Sequence, residues 1–162
     1  MFIELNGRLV NLGNKELEDF LRLHNQDDQS NNQLIENSIR NLDLLSEVFY
    51  DKDILLKSKG LIPVYYQFTK DKINISNPNQ IRAFFESFEQ AKINNRQLEE
   101  PFSLLQEFDR LNQQGVHREK SLVSRFRILE AYFQEFLATG NLNQNISISD
   151  IELDDSENFD EF

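Results

Sequence analysis

The chain of 162 residues has no cysteine and no tryptophan, and it has only two histidines, three prolines and five glycines. Without cysteine, neither a disulfide framework nor a thiolate metal site can form. The two histidines, His24 and His117, have no acid or second histidine at chelating spacing, so we expect no bound metal. Five scattered glycines supply no nucleotide-binding fingerprint, and no Gly-x-Ser-x-Gly motif occurs. We therefore expect no catalytic residue and no cofactor, and we predict that the protein is not an enzyme.

Long hydrophobic runs are missing as well. No stretch approaches the roughly 18 apolar residues that a membrane-spanning helix needs, so we expect no membrane partner. The first seven residues, Met-Phe-Ile-Glu-Leu-Asn-Gly, lack the basic region and cleavage site of a signal peptide. These two features predict a cytoplasmic protein. An apolar share of 39% is enough for one core, and fourteen phenylalanines must supply much of its buried area.

The net charge of −11 is unevenly distributed. Residues 149–162 hold seven acids and no lysine or arginine, whereas the first 148 residues hold 21 acids against 17 bases. We predict a helical domain over 1–140 and an acidic, flexible tail over 141–162, because repelling charges and little apolar area favour disorder. The tail ends in a candidate docking motif for a basic, apolar pocket on another protein: Phe159, Asp160, Glu161 and Phe162. The alternative is a solubilising tail.

Apolar residues recur at helical spacing along most of the chain, which predicts an all-α fold, a single bundle of five to six helices. The predicted segments are 15–24, 33–49, a turn at Gly60 with a helix to Phe68, 78–97, 101–111 and 121–139. For the second segment the pattern predicts a core face of Ile35, Ile39, Leu42, Leu45 and Phe49. The phenylalanine stripes of the later segments are predicted to be core rather than the lining of a ligand pocket. At the other end, Asn6-Gly7 between apolar flanks predicts either a short N-terminal hairpin or a helix end or irregular arm.

One cluster carries potential binding chemistry. Residues 113–127 contain two glutamines and five cation-capable side chains, and Ser121 is the predicted N-cap of the last helix, where free N–H groups can hold an anion. The candidate contacts for nucleic acid, another anion or a partner carboxylate are His117, Arg118, Lys120, Ser121, Arg125 and Arg127. The alternative is a solvated loop whose arginines pair with Glu119 and Glu130.

Part of this cluster also carries a family resemblance. The relevant stretches are Ile62-Pro63-Val64-Tyr65-Tyr66, Arg82-Ala83-Phe84-Phe85, Asn95-Arg96, Glu107-Phe108-Asp109-Arg110-Leu111, Gln113-Gln114-Gly115, Ser121 and Arg125-Phe126-Arg127-Ile128-Leu129. With these, residues 34–137 resemble the helical C-terminal part of the GmrSD-like restriction and defence proteins. The Asp-Gly-Gln-Gln-Arg motif of that family's ParB-like N-terminal domain is absent, as is its nuclease part. The resemblance therefore implies helical architecture and a DNA-restriction or phage-defence context, without a catalytic residue.

Three classes of function follow from these observations. The first is a non-enzymatic helical module or accessory subunit that acts through another protein, such as a separately encoded catalytic subunit. The alternative is a nucleic-acid-contacting subunit that uses the basic loop against phosphates, although the acidic balance of the chain opposes nonspecific duplex binding. The third, an enzyme with a nonstandard site, lacks any converging set of acid, base and nucleophile. An adjacent gene for the Asp-Gly-Gln-Gln-Arg domain would favour the first.

Overall fold

The structure, a computed structural model, describes residues 3–4, 7–24, 28–142 and 146. Within that part the chain forms six α-helices, which confirms the all-α prediction: α1 (Asn14–His24), α2 (Asp28–Val48), α3 (Ile62–Lys72), α4 (Pro78–Asn95), α5 (Ser103–Leu111) and α6 (Glu119–Thr139). Two short 3₁₀ turns, Ile54–Leu56 and Lys59–Leu61, connect α2 to α3. No helix in these ranges is both long and apolar enough to cross a membrane.

The predicted N-terminal hairpin is wrong as far as the described residues go. Ile3 and Glu4 are helical, Gly7 lies in a turn with φ of +65°, and no strand follows before α1. The segment instead packs on the bundle through Leu9, which is buried, and through Glu4.

Local sequence signals place several helix ends correctly. Asn77 caps α4, since its side chain accepts a hydrogen bond from the amide of Gln80 at 2.9 Å. Pro63 and Pro78 lie in the first turns of α3 and α4, where a missing N–H costs little. Gly140 ends α6 with φ of +69°, a left-handed conformation that glycine adopts without strain.

The core is built from phenylalanine rings contributed by α3, α4, α5 and α6. The ring of Phe133 meets those of Phe84 and Phe68 edge-on, with centroids 5.0 and 5.2 Å apart. Phe88 makes a similar contact with Phe108 at 5.0 Å. All five side chains are fully buried, so the phenylalanine stripes of α4 are core, as predicted.

Helix α2 turns a different face to this core from the one its sequence predicts. Its inner residues are Leu34, Ser38, Asn41, Leu45 and Val48. Of the five predicted core residues, Phe49 is buried and Leu45 packs against the core, whereas Ile35, Ile39 and Leu42 are 43, 53 and 56% exposed. Because one residue corresponds to about 100° around a helix, the observed orientation differs from the predicted one by about one residue.

Polar contacts explain this orientation. The carboxylate of Glu4 accepts hydrogen bonds from Asn41 Nδ2 at 2.8 Å and from the Tyr66 hydroxyl at 2.7 Å, and it pairs with Lys70 at 3.1 Å. Burial alone would raise the pKa of Glu4, but the hydrogen bonds from Tyr66 and Lys70 outweigh it and lower that pKa. Asn41 can therefore lie inside at no net loss of hydrogen bonding.

The packed body continues past the end of α6. Leu142 is 4% exposed, and Ile146 packs against the core. The predicted tail docking motif, Phe159 to Phe162, lies outside the described residues.

Candidate functional site

The six residues predicted for a basic contact site divide into two groups in the structure. Ser121 and Arg125 are buried, so neither can contact a nucleic acid, and this part of the prediction is wrong. Ser121 is also not the N-cap: α6 begins at Glu119, and the Ser121 hydroxyl donates to the carbonyl of Leu111 at 3.0 Å. The capping oxygen comes from far away in sequence, because Asn11 Oδ1 accepts the amide of Glu119 at 2.7 Å.

Arg125 is fully buried and has a structural role. Its guanidinium donates to the carbonyls of Ser121, Gly60 and Val116 at 3.1, 2.8 and 2.7 Å, which joins α6 to two separate loops. Burial lowers the pKa of Arg125 to about 10, so the group stays charged at neutral pH. Charge-assisted hydrogen bonds to several carbonyls are the compensation that a buried cation needs.

The other four predicted residues line one cleft beside the start of α6. Its volume is about 850 Å³, and its lining residues are Arg8, Asn11, Gly13, Glu16, His117, Arg118, Glu119, Lys120, Val123, Ser124 and Arg127. Two contacts join the walls of the cleft: the amide of Leu12 donates to the carbonyl of His117 at 2.9 Å, and Arg8 pairs with Glu119 at 2.7 Å. The cleft therefore joins the N-terminal segment to the basic loop.

The lining of this cleft is net positive, although the whole chain is net negative. Four cations (Arg8, Arg118, Lys120 and Arg127) face two carboxylates, Glu16 and Glu119, in a protein whose net charge is −11. The amides of Lys120 and Ser121 lie in the first turn of α6, where no intrahelical acceptor exists and the helix dipole favours an anion. We call this region the basic cleft, because cations outnumber carboxylates in its lining.

Sequence reasoning missed the contribution of the N-terminal segment to this cleft. Arg8 and Asn11 lie more than 100 positions from the loop that they contact. In the sequence Arg8 and Asn11 look like ordinary polar residues beside a turn, so no local pattern predicts that they contact this loop. The two acids of the alternative prediction have partners outside the loop, since Glu119 pairs with Arg8 and Glu130 pairs with Lys72.

A second candidate site is the outward side of α2. Ile35, Ile39 and Leu42 form a row that spans about 60° of the helix circumference. Each exposes roughly half of its surface, and the row borders the partly buried Leu45. Single exposed aliphatic residues are ordinary on a protein surface, but three in register on one helix face are typical of a contact surface. We call these three residues the α2 stripe.

Carboxylates line the far side of the α2 stripe. Glu36, Asp43 and Glu47 are exposed and fall within about 40° of one another around the helix. None of the three forms an ion pair in the part of the chain that the structure describes. We call them the acidic edge. An apolar row with one charged border is the surface that a helix of opposite charge would recognise.

Reaction chemistry has less support than binding in this geometry. Among the described residues, no three histidine or acidic side chains come together in an arrangement that could hold a metal ion. Several carboxylates of the described residues pair with cations: Arg96 makes two contacts with Asp109 at 2.6 and 2.8 Å, and Lys92 reaches Glu89 at 2.8 Å.

Comparisons with protein-family models, curated proteins and solved structures found no match to this chain. The resemblance to the GmrSD-like proteins therefore stays a prediction.

Proposed function

We propose that the protein is a non-enzymatic helical module that acts by binding another protein through the α2 stripe. The observation that carries the proposal is the outward position of Ile35, Ile39 and Leu42 on a helix whose other side is packed and satisfied. Covering such a row removes apolar surface from water, at about 25 cal/mol for each Å² buried. The restriction and defence context implied by the family resemblance fits an accessory subunit of this kind.

The test is site-specific photocrosslinking in cells of the natural host. A photoreactive phenylalanine analogue replaces Ile39, and a matched control places it at Ile54, which is 79% exposed on the first 3₁₀ turn. We expect a discrete crosslinked protein from position 39 and none of that mass from position 54. Equal products from the two positions, or none from position 39, would contradict the proposal.

A second candidate function is anion binding in the basic cleft, as in a subunit that contacts nucleic-acid phosphates. The cleft favours it because four cations and the first turn of α6 converge there. Its size suits a single-stranded segment or a strand end, and the acidic body opposes the long contact that a duplex requires.

Binding of a labelled single-stranded oligonucleotide at increasing salt tests this second candidate. Replacing Arg118 and Lys120 with glutamine should lower the slope of log affinity against log salt by roughly 1.4, since each single-strand phosphate contact contributes about 0.7. Exchanging Arg22 and Lys15 of α1 for glutamine gives a control with the same change in charge. No binding to the wild-type protein at low salt would exclude this function.

A further inference from the structure

We infer that the partner segment bound by the α2 stripe is a basic amphipathic helix. This inference rests on the proposed function and adds the chemistry of the partner. It follows from the charges that border the stripe and from the occupants that those charges exclude.

The surface has the shape of a helix face. The α2 stripe and the acidic edge run side by side along one helix, with Glu36 beside Ile35 and Asp43 beside Leu42. An apolar row of this kind is complementary to another helix whose apolar residues recur every three or four positions. A strand would need unpaired backbone groups on this protein, and a helix surface offers none.

The charge beside the α2 stripe is negative. Three carboxylates that pair with no cation among the described residues lie along the acidic edge, and Arg40 is the one exposed base between them on α2. A bound helix with lysine or arginine beside its apolar row would place cations against these carboxylates. Charge complementarity of this type sets partner choice and orientation more than it sets total affinity.

The acidic edge also bears on other occupants. A second copy of the chain packed antiparallel along the α2 stripe would bring one acidic edge close to another, and like charges at a contact are unfavourable. The segment 149–162 of this chain carries seven acids and no base, so the acidic edge repels it as well. An anionic membrane surface is excluded by the same sign of charge. A partner with an apolar row and positive charges beside it complements both the α2 stripe and the acidic edge.

The experiment uses the full chain and two synthetic probes. Each probe is a fluorescent helical peptide of about 18 residues with leucine at positions i, i+3, i+4 and i+7, a pattern that gives one apolar face. One peptide has lysine at the remaining positions, and the other has glutamate. Fluorescence anisotropy at low salt gives the affinity of each peptide for each protein variant.

The decisive variant reverses the acidic edge by combining Glu36→Lys with Asp43→Lys. Its matched control, Glu99→Lys with Glu100→Lys, makes the same change in net charge at two exposed carboxylates in the loop after α4. We expect the lysine peptide to bind the wild type, to bind the edge variant about tenfold more weakly, and to bind the control unchanged. The glutamate peptide should bind only the edge variant.

The apolar part of the contact is tested by Ile39→Ser, with Ile75→Ser as the control because Ile75 is 60% exposed elsewhere on the surface. The lysine peptide should lose affinity for the first variant only. Equal weakening by the Glu99 and Glu100 control would show attraction to net charge and overturn the inference. A wild-type dimer that Ile39→Ser dissociates in light-scattering measurements would overturn it too, in favour of a second copy.

Failure of the inference can be distinguished from failure of the proposed function. If the lysine peptide does not bind but position 39 crosslinks to a host protein, the function stands and the partner chemistry is wrong. If the peptide does not bind and position 39 gives no crosslink, the proposed function fails with the inference.

Discussion

Replacing Arg125 with leucine should destabilise the fold far more than any other loss of one positive charge near the basic cleft. The guanidinium occupies a fully buried position and donates to three carbonyls that belong to α6, to the second 3₁₀ turn and to the 112–118 loop. Leucine removes these donors, so the carbonyls of Gly60 and Val116 lose their side-chain partner. The substitution therefore loosens two loops from the last helix at once.

The magnitude follows from the acceptors left without partners. The Ser121 carbonyl keeps the helical amide of residue 125 as its donor, so two carbonyls lose theirs, at about 1–3 kcal/mol each. Removing a buried charge offsets part of this loss, because burial disfavours the guanidinium and lowers the pKa of Arg125 to about 10. We therefore expect Arg125→Leu to lower the free energy of unfolding by about 2–4 kcal/mol. Lysine at this position has one nitrogen to replace three, so Arg125→Lys should recover only part of the loss.

Urea unfolding followed by far-ultraviolet circular dichroism measures this change, with Arg118→Leu as the control. Arg118 is exposed in the same loop, and its replacement should change the free energy of unfolding by less than about 0.5 kcal/mol. A loss below about 1 kcal/mol for Arg125→Leu would refute the reasoning, since the carbonyls of Gly60 and Val116 would then have other partners. Equal losses for the two variants would also refute it.

Further predictions concern the core, the helix ends and acid stability. Phe133→Ala should lower the free energy of unfolding by about 3–5 kcal/mol, and Phe126→Ala by less because Phe126 is only partly buried; urea midpoints compare the two. Asn77→Ala should cost about 1 kcal/mol through loss of the α4 cap in the same assay. Because the pKa of Glu4 is lowered from its ordinary 4.5, its contribution to stability is present above that pH and is lost as the pH falls through the lower folded value. Glu4→Gln should therefore flatten the acid limb of a plot of stability against pH. Purified protein should hydrolyse no nucleoside triphosphate and cut no DNA, with or without divalent metal, and turnover that persists through purification would contradict this.

The sequence predicts helix positions well and helix orientation less well. The phenylalanines of α4 are so numerous and so regular that only one face can be internal, and Ile81, Phe84, Phe85 and Phe88 are all buried. In α2 two apolar rows compete, one of them interrupted by Ser38 and Asn41. The interrupted row is the inner one because Glu4, 37 positions away, supplies the partner for Asn41. Long-range hydrogen bonds of this kind leave no trace in local periodicity.

The same limit explains the errors in the candidate site. Arg125 belongs to a run that reads as a basic surface, yet backbone carbonyls from three places in the chain make it an internal residue. The cleft that does form needs Arg8 and Asn11, which no motif connects to His117 or Lys120. Clustering of charges in the sequence thus predicted four residues that line the cleft and two residues that are buried.

Several residues that carry the family resemblance hold the fold together. Arg82 pairs with Asp53 and Glu86, Asn95 exchanges hydrogen bonds with the backbone of Phe102 at 2.6 and 3.2 Å, and Arg125 joins α6 to its neighbouring loops. A resemblance borne by such residues concerns architecture. The α2 stripe contains none of the motifs, although it lies in the same span of the chain.

The difference between the predicted and the observed inner face of α2 bears on function. Where local pattern and fold agree, as in α4, apolar residues are internal and have a structural explanation. Ile35, Ile39 and Leu42 have the spacing of a core face, yet the fold places polar Asn41 inside and leaves these three in contact with water. An exposed apolar row lowers solubility and adds nothing to the core. The stability of the free monomer therefore does not explain these three residues. Binding of a second helix along the α2 stripe would give such a reason. Disagreement between local pattern and global fold is expected at sites that serve binding rather than folding.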